Sequence, residues 1–135
     1  MRDKTLLIPV DEFASPIELF ASEEMSVKDV KEHMVKNGYR HVPVLKNNIP
    51  VGIITSRDIS LINSLKYQSD FLVSEVMVQD PYCVLTGTSL EEVAYEMSSR
   101  KIGSAIVVND RGEAESIFTS VDGLNAIIEI IRGEI

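Results

Sequence analysis

Apolar positions along this chain follow two periods in a fixed order, and the order occurs twice. Val27, Val30, Met34 and Val35 recur at spacings close to the 3.6-residue period of a helix with one inward face. From His41 the pattern shortens to two runs, His41–Leu45 and Ile49–Ile54, which read as strands. Lys46-Asn47-Asn48 lies between them, and asparagine suits a tight turn because it tolerates positive φ. A second helix is predicted from Ser56 to about Leu65, with Ile59, Ile62 and Leu65 on its apolar side. The same succession then returns. Leu90, Val93, Ala94 and Met97 mark a helix, Ser104–Val108 and Ala114–Phe118 flank a turn at Asn109–Gly112, and a helix runs from Ser120 to about Ile131. Leu124, Ile127, Ile128 and Ile131 make this last helix the more apolar of its pair, as expected of one that packs on the other half or on a second subunit.

The repetition extends to individual residues. SVKDVKEHM, Ser26–Met34, aligns with SLEEVAYEM, Ser89–Met97, 63 positions on. Thr55-Ser56-Arg57-Asp58 aligns with Thr119-Ser120-Val121-Asp122 after one extra turn residue. Two units of about 60 residues, each too small to bury a large core alone, are expected to pack together and leave related clefts. Residues 8–68 form the first repeat and 69–132 the second, with a polar bridge at Tyr67-Gln68-Ser69-Asp70. Val73, Val76 and Met77 lead into the second copy. Val10, Phe13 and Ala14 stand at the same offset before the first, so the N-terminal segment is expected to belong to the fold. Ser26 with Asp29, and Ser89 with Glu92, have helix-capping spacing, while Asn37-Gly38 and the weaker Ser98-Ser99 with Lys101 are the helix stops.

Composition narrows the classes of function. The 135 residues carry 13 Lys+Arg against 21 Asp+Glu, a formal charge of −8. A surface of this sign is repelled by nucleic-acid backbones and anionic lipid, so neither is an expected partner. No stretch reaches the roughly 20 apolar residues needed to cross a bilayer, and no leader pattern is seen, so a cytoplasmic location is expected. The single cysteine, Cys83, forms no intrachain disulfide and cannot supply a thiolate zinc site. Between Tyr82 and Val84 it is expected to be a buried, inert residue.

The sharpest polar features are the two Thr-x-x-Asp motifs, Thr55 with Asp58 and Thr119 with Asp122. Each follows a strand and opens a helix, where an acid at the third helical position completes a capping box. The same arrangement suits a ligand, since unpaired N–H groups at a helix start favour phosphate and the carboxylate can accept ribose hydroxyls. Capping and ligand contact are compatible, and the residues alone leave both open. Arg40 and His41 enter the first hairpin and could grip a phosphate, or could be an exposed stem and a backbone-satisfied imidazole. Gly103 and Ser104 replace them in the second copy, so binding of any phosphorylated ligand is expected to be unequal. His33 reads as a solvated helix face, Tyr39 as a corner residue, and Met25, Met34, Met77 and Met97 as core filling. No catalytic triad, glycine-rich phosphate loop or transition-metal motif is present, and no enzyme activity is expected.

In this order and duplication the chain resembles a tandem pair of cystathionine-β-synthase (CBS) domains, a Bateman module. The likeness covers nearly all of residues 8–132. It rests on Val73-Ser74-Glu75-Val76-Met77, the capped helix ending in Met, His41-Val42-Pro43-Val44, and Gly52-Ile53-Ile54-Thr55-Ser56-Arg57-Asp58. The resemblance implies an α/β fold with pseudo-twofold symmetry, each half a small sheet packed against two helices. It implies a regulatory sensor binding AMP, ADP, ATP or an S-adenosylmethionine-like ligand in the cleft between the repeats. The family pattern puts ribose on Asp58, phosphate near Thr55, Arg57, Arg40 and His41, and the base among Ala21, Val42 and Pro43. In the second copy Thr119 and Asp122 remain and Ser104, in place of His41, is a further candidate contact, but Ser116 replaces the motif glycine and Ile106 the proline. The Asp58 site is therefore expected to be the better phosphate site. The resemblance further implies a homodimer and a separate effector protein. The alternative is a structural or protein-interaction module with no small ligand, in which both Thr-x-x-Asp motifs only cap helices.

Overall fold

A computed structural model of the chain describes residues 7–64 and 71–135. Leu65 and the polar bridge at residues 67–70 lie outside the described residues. The chain divides into two similar compact α/β units, and their boundaries do not follow the repeat. One unit is Glu18–Pro81; the other joins the described part of Met1–Ile17 to Tyr82–Ile135. The repeat ranges 8–68 and 69–132 thus describe the sequence periodicity, whereas each lead-in segment packs in the unit of the opposite repeat.

The Glu18–Pro81 unit holds helix α1 (Val27–Asn37), the hairpin β2 (His41–Lys46) and β3 (Ile49–Thr55), helix α2 (Ser56–Asn63), the short α3 (Val73–Val76) and strand β4 (Val78–Gln79). Its sheet has the order β2-β3-β4. Strand β1 (Ser15–Pro16) belongs to the other unit, with β5 (Cys83–Leu85), α4 (Leu90–Arg100), β6 (Ser104–Val108), β7 (Ala114–Thr119) and α5 (Ser120–Ile131). That sheet runs β1-β7-β6-β5, antiparallel except for the β5–β6 pair.

Local chemistry accounts for the element ends. Ser26 accepts the Asp29 N–H at 3.1 Å and Ser89 that of Glu92 at 3.2 Å, caps worth about 1 kcal/mol each. Gly38 at φ 73° and Lys101 at φ 56° close α1 and α4 in the left-handed region. Asn47 and Asn48, both at positive φ, form the two-residue turn of the first hairpin.

The exchange of lead-ins is reciprocal. The Val10 N–H donates to the Thr88 carbonyl and the Leu90 N–H to that of Ile8; correspondingly, Val73 donates to Met25 and Val27 to Phe71. Strand β1 pairs with β7, and β4 with β3, at equivalent registers. Val10 is accordingly buried with Val84, Leu90, Val93, Met97, Ala105, Val107, Phe118 and Ala126. Val73 is buried with Ala21, Val27, Val30, Met34, Val42, Val44, Ile54 and Ile59.

Several expected burials are corrected. Val35 is 75% exposed and Ala94 lies at the surface, so the inner faces of α1 and α4 are narrower than their apolar spacing. In α5 the buried residues are Asp122 and Ala126, while Leu124, Ile127, Ile128 and Ile131 face outward. Cys83 is exposed, because β5 turns Val84 inward and its two neighbours out. The thiol is nevertheless partly shielded, and burial pushes its pKa up. No helix among the described residues is long and apolar enough to cross a membrane.

Candidate functional site

The candidate site starts at the junction of β3 and α2. Thr55 is the N-cap: its hydroxyl accepts the Asp58 N–H at 3.2 Å. Asp58 answers with one oxygen, Oδ2, which takes the Thr55 N–H at 3.0 Å and the Thr55 hydroxyl at 2.9 Å. The capping reading of this motif is thus realised. It leaves Oδ1 without a hydrogen bond among the described residues, so a capping role and a ligand role use different oxygens.

Strand pairing brings the sequence-distant cations to the same place. His41 is the register partner of Thr55, and the Ser56 N–H donates to the Arg40 carbonyl at 2.9 Å. Burial pushes the His41 pKa below its ordinary value of 6.5, the neighbouring Arg40 lowers it further, and Asp58 opposes both. Arg40 and Arg57 are exposed, and neither is held in an ion pair among the described residues. Three basic side chains and one half-used carboxylate therefore lie around the first turn of α2.

The apolar candidates divide. Ala21 bridges to Val44; its N–H donates to the Pro43 carbonyl, and its own carbonyl accepts the Leu45 N–H, both at 2.9 Å. Val42 is fully buried in the unit's core, on the strand face opposite His41 and Pro43. Gly52 is needed for close approach: a Cβ there would lie 2.5 Å from the Met77 sulfur and 3.0 Å from the Val78 carbonyl oxygen. Ser116 can replace it in the other repeat, where Ala14 stands at the position of Met77. Tyr39 donates to Glu18 at 2.6 Å, which raises its pKa.

The second copy repeats the frame with different chemistry. Ser104 is the register partner of Thr119, and the Ser120 N–H donates to the Gly103 carbonyl at 3.2 Å. Asp122 Oδ2 accepts the Thr119 N–H at 2.9 Å and its hydroxyl at 3.2 Å, while Oδ1 accepts the Ser15 hydroxyl at 3.2 Å. This carboxylate is 9% exposed. Ile106 sends its N–H to the Tyr82 carbonyl, a bond Pro43 cannot make. Ser15 was not marked by the sequence pattern; the repeat offset sets it against Val78, but only the strand register brings it to Asp122.

The CBS-domain family model matches residues 10–62 and 73–129. The chain belongs to the CBS-domain family. Tandem CBS domains are regulatory, non-catalytic modules, and this pair is one. An uncharacterized protein of Methanocaldococcus jannaschii, MJ1225, is 29% identical over 127 residues, covering 85% of this chain and 45% of that protein. The chain spans between 20% and 55% of the length of five curated relatives that it matches. Among solved structures, CBSX2 in complex with AMP superposes with a TM-score of 0.80 at 25% identity, covering 90% of this chain and 97% of that one. The CBS pair of MJ0100 in complex with methylthioadenosine and S-adenosylmethionine gives a TM-score of 0.80 at 25% identity, covering 89% and 99%. Adenosyl compounds thus occupy CBS pairs of this shape. Among the described residues no cluster of three or more His, Cys, Asp or Glu could hold a metal.

Proposed function

We propose that this CBS pair is a sensor module that binds an adenosyl ligand at the start of α2. AMP, ADP, ATP and S-adenosylmethionine-like compounds are the candidate class. Asp58 holds the ribose hydroxyls, the phosphate lies near Thr55 and meets the Arg57 N–H, and Arg57, Arg40 and His41 neutralise it. Ala21 and Pro43 border the base, with Val42 supporting the strand from behind. The observation that carries this reading is the register pairing of His41 with Thr55, which sets an imidazole and the adjoining Arg40 at the strand end that meets a carboxylate with an open oxygen. Thr119, Asp122 and Ser104 form the corresponding but phosphate-poor site. A regulated partner, in the same or a separate chain, reads the ligand state.

Isothermal titration of ligand-stripped protein with AMP, ADP, ATP and S-adenosylmethionine tests the reading. Saturable binding at micromolar concentration, lost in Asp58→Ala, supports it. No heat from a folded protein favours the second reading, a ligand-free interaction module in which Asp58 and Asp122 serve only as caps.

Phosphate binding should also be linked to protons. The His41 pKa lies below its ordinary value in the free protein, and an adjacent phosphate anion raises it. Binding then takes up protons, and AMP affinity increases a few-fold as the pH falls from 8 toward 6. Titration in two buffers of different ionisation enthalpy measures that uptake, with His41→Gln subtracting the ligand's own titration. Proton release, or identical uptake in the variant, would contradict the assignment. The sign for folding is opposite: a depressed basic pKa gives a stability contribution that is full above pH 6.5 and declines as the pH falls below it.

The assembly reading is a homodimer through α4 and α5. Tyr95 is 64% exposed, Leu124 59% and Ile131 77%, beside a groove of about 430 Å³ lined by Met97, Phe118, Gly123 and Ile127. An apolar surface of this kind marks an association site more often than a solvated face. Ile127→Glu is expected to convert the dimer to a monomer in sedimentation equilibrium at micromolar concentration. A wild-type chain that is already monomeric there removes the proposal.

A further inference from the structure

Asp58 and Asp122 occupy equivalent positions and accept the same two bonds from their threonines through Oδ2. Their difference lies on Oδ1 and originates one strand away. Ser15 in β1 pairs with Ile117, and Val78 in β4 pairs with Ile53, so the two residues hold the same place in the two units. The serine hydroxyl donates to Asp122 Oδ1 at 3.2 Å. A valine has no hydrogen to give Asp58.

A carboxylate has about four acceptor sites, two on each oxygen. In Asp58 the threonine uses those of Oδ2 and leaves both sites of Oδ1, which matches the two adjacent hydroxyls of a ribose. In Asp122 Ser15 takes one site of Oδ1, leaving a single acceptor for a ligand that presents two donors. We infer that Ser15 is the specificity-determining residue that occupies the diol-binding position at Asp122, making Asp58 the acid available to a ribose. This rests on the reading that Asp58 receives a ribose, and it adds a cause for the inequality that is independent of Arg40 and His41.

Adenosine is the suitable probe, because it carries the diol without a phosphate and so ignores the loss of cations in the second copy. Titrations of wild type, Ser15→Ala, Val78→Ser and the Asp58→Ala/Ser15→Ala double variant separate the two acids. In Ser15→Ala the Asp122 site should tighten by about 3- to 10-fold, the range of one hydrogen bond, and appear as a second binding event. That gain should persist in the double variant and vanish with 2′-deoxyadenosine, which lacks half of the diol. Val78→Ser should weaken the Asp58 site by a similar factor. If wild type binds adenosine and neither variant changes affinity or stoichiometry, Ser15 has no such role and the Asp58 reading stands. If neither adenosine nor AMP binds the folded wild type or any variant, the Asp58 reading falls and takes this assignment with it.

Discussion

Asp58→Ala weakens AMP binding by about 100-fold while the protein stays folded, because hydrogen bonds to a charged acceptor contribute about 1.5–3 kcal/mol each. The substitution also removes the carboxylate that accepts both Thr55 donors. A lost cap costs about 1 kcal/mol, a small part of the 5–15 kcal/mol typical of a domain. Binding and stability therefore separate, and a thermal melt beside the titration shows it. Asp122→Ala provides the comparison: it removes the bonds from Thr119 and Ser15 but leaves AMP affinity at Asp58 within a few-fold. If Asp122→Ala abolishes AMP binding and Asp58→Ala does not, the order of the two sites is reversed.

Phe118→Ala is the substitution expected to cost the most stability. The ring is 1% exposed and lies among Val10, Leu90, Val93, Met97 and Ala126. Truncation of a buried phenylalanine costs about 3–5 kcal/mol, since the cavity collapses only in part. At this chain length such a loss lowers the melting midpoint by about 10–20 °C. Because Phe118 precedes Thr119, the Asp122 frame should loosen as well, whereas AMP affinity at Asp58 persists below the melt. A loss under about 1 kcal/mol in denaturant titration would mean that the core closes over the gap.

The parts of this structure that depend on neighbouring residues were legible in the sequence. The final helix is expected from Ser120 to about Ile131 and spans those residues, and Thr55 meets Asp58 at a spacing of three. Periodicity defines which way a helix faces but not how wide its buried stripe is, so Val35 and Ala94 have inward spacing and lie outside. Ser15 and Asp122 are 107 residues apart, and their contact exists only because β1 adds to β7. No local pattern reports that pairing: the two repeats offer equivalent partners to either lead-in, and the choice is made in three dimensions. The approach of Arg40 and His41 to Thr55 was more accessible, because a two-residue turn dictates the register of its hairpin.

The reciprocal lead-ins also give the two units different histories during synthesis. Glu18–Pro81 is continuous, so all of its partners leave the ribosome before α4 does. The other unit is split, with Val10 in a segment made before Glu18–Pro81 and α5 in one made after it. Val10 must wait for Thr88, a closure of about 80 residues, and then for α5 before its side chain is covered. Until then the apolar side chain of Val10 stays open to wrong partners, including the same segment of another nascent chain.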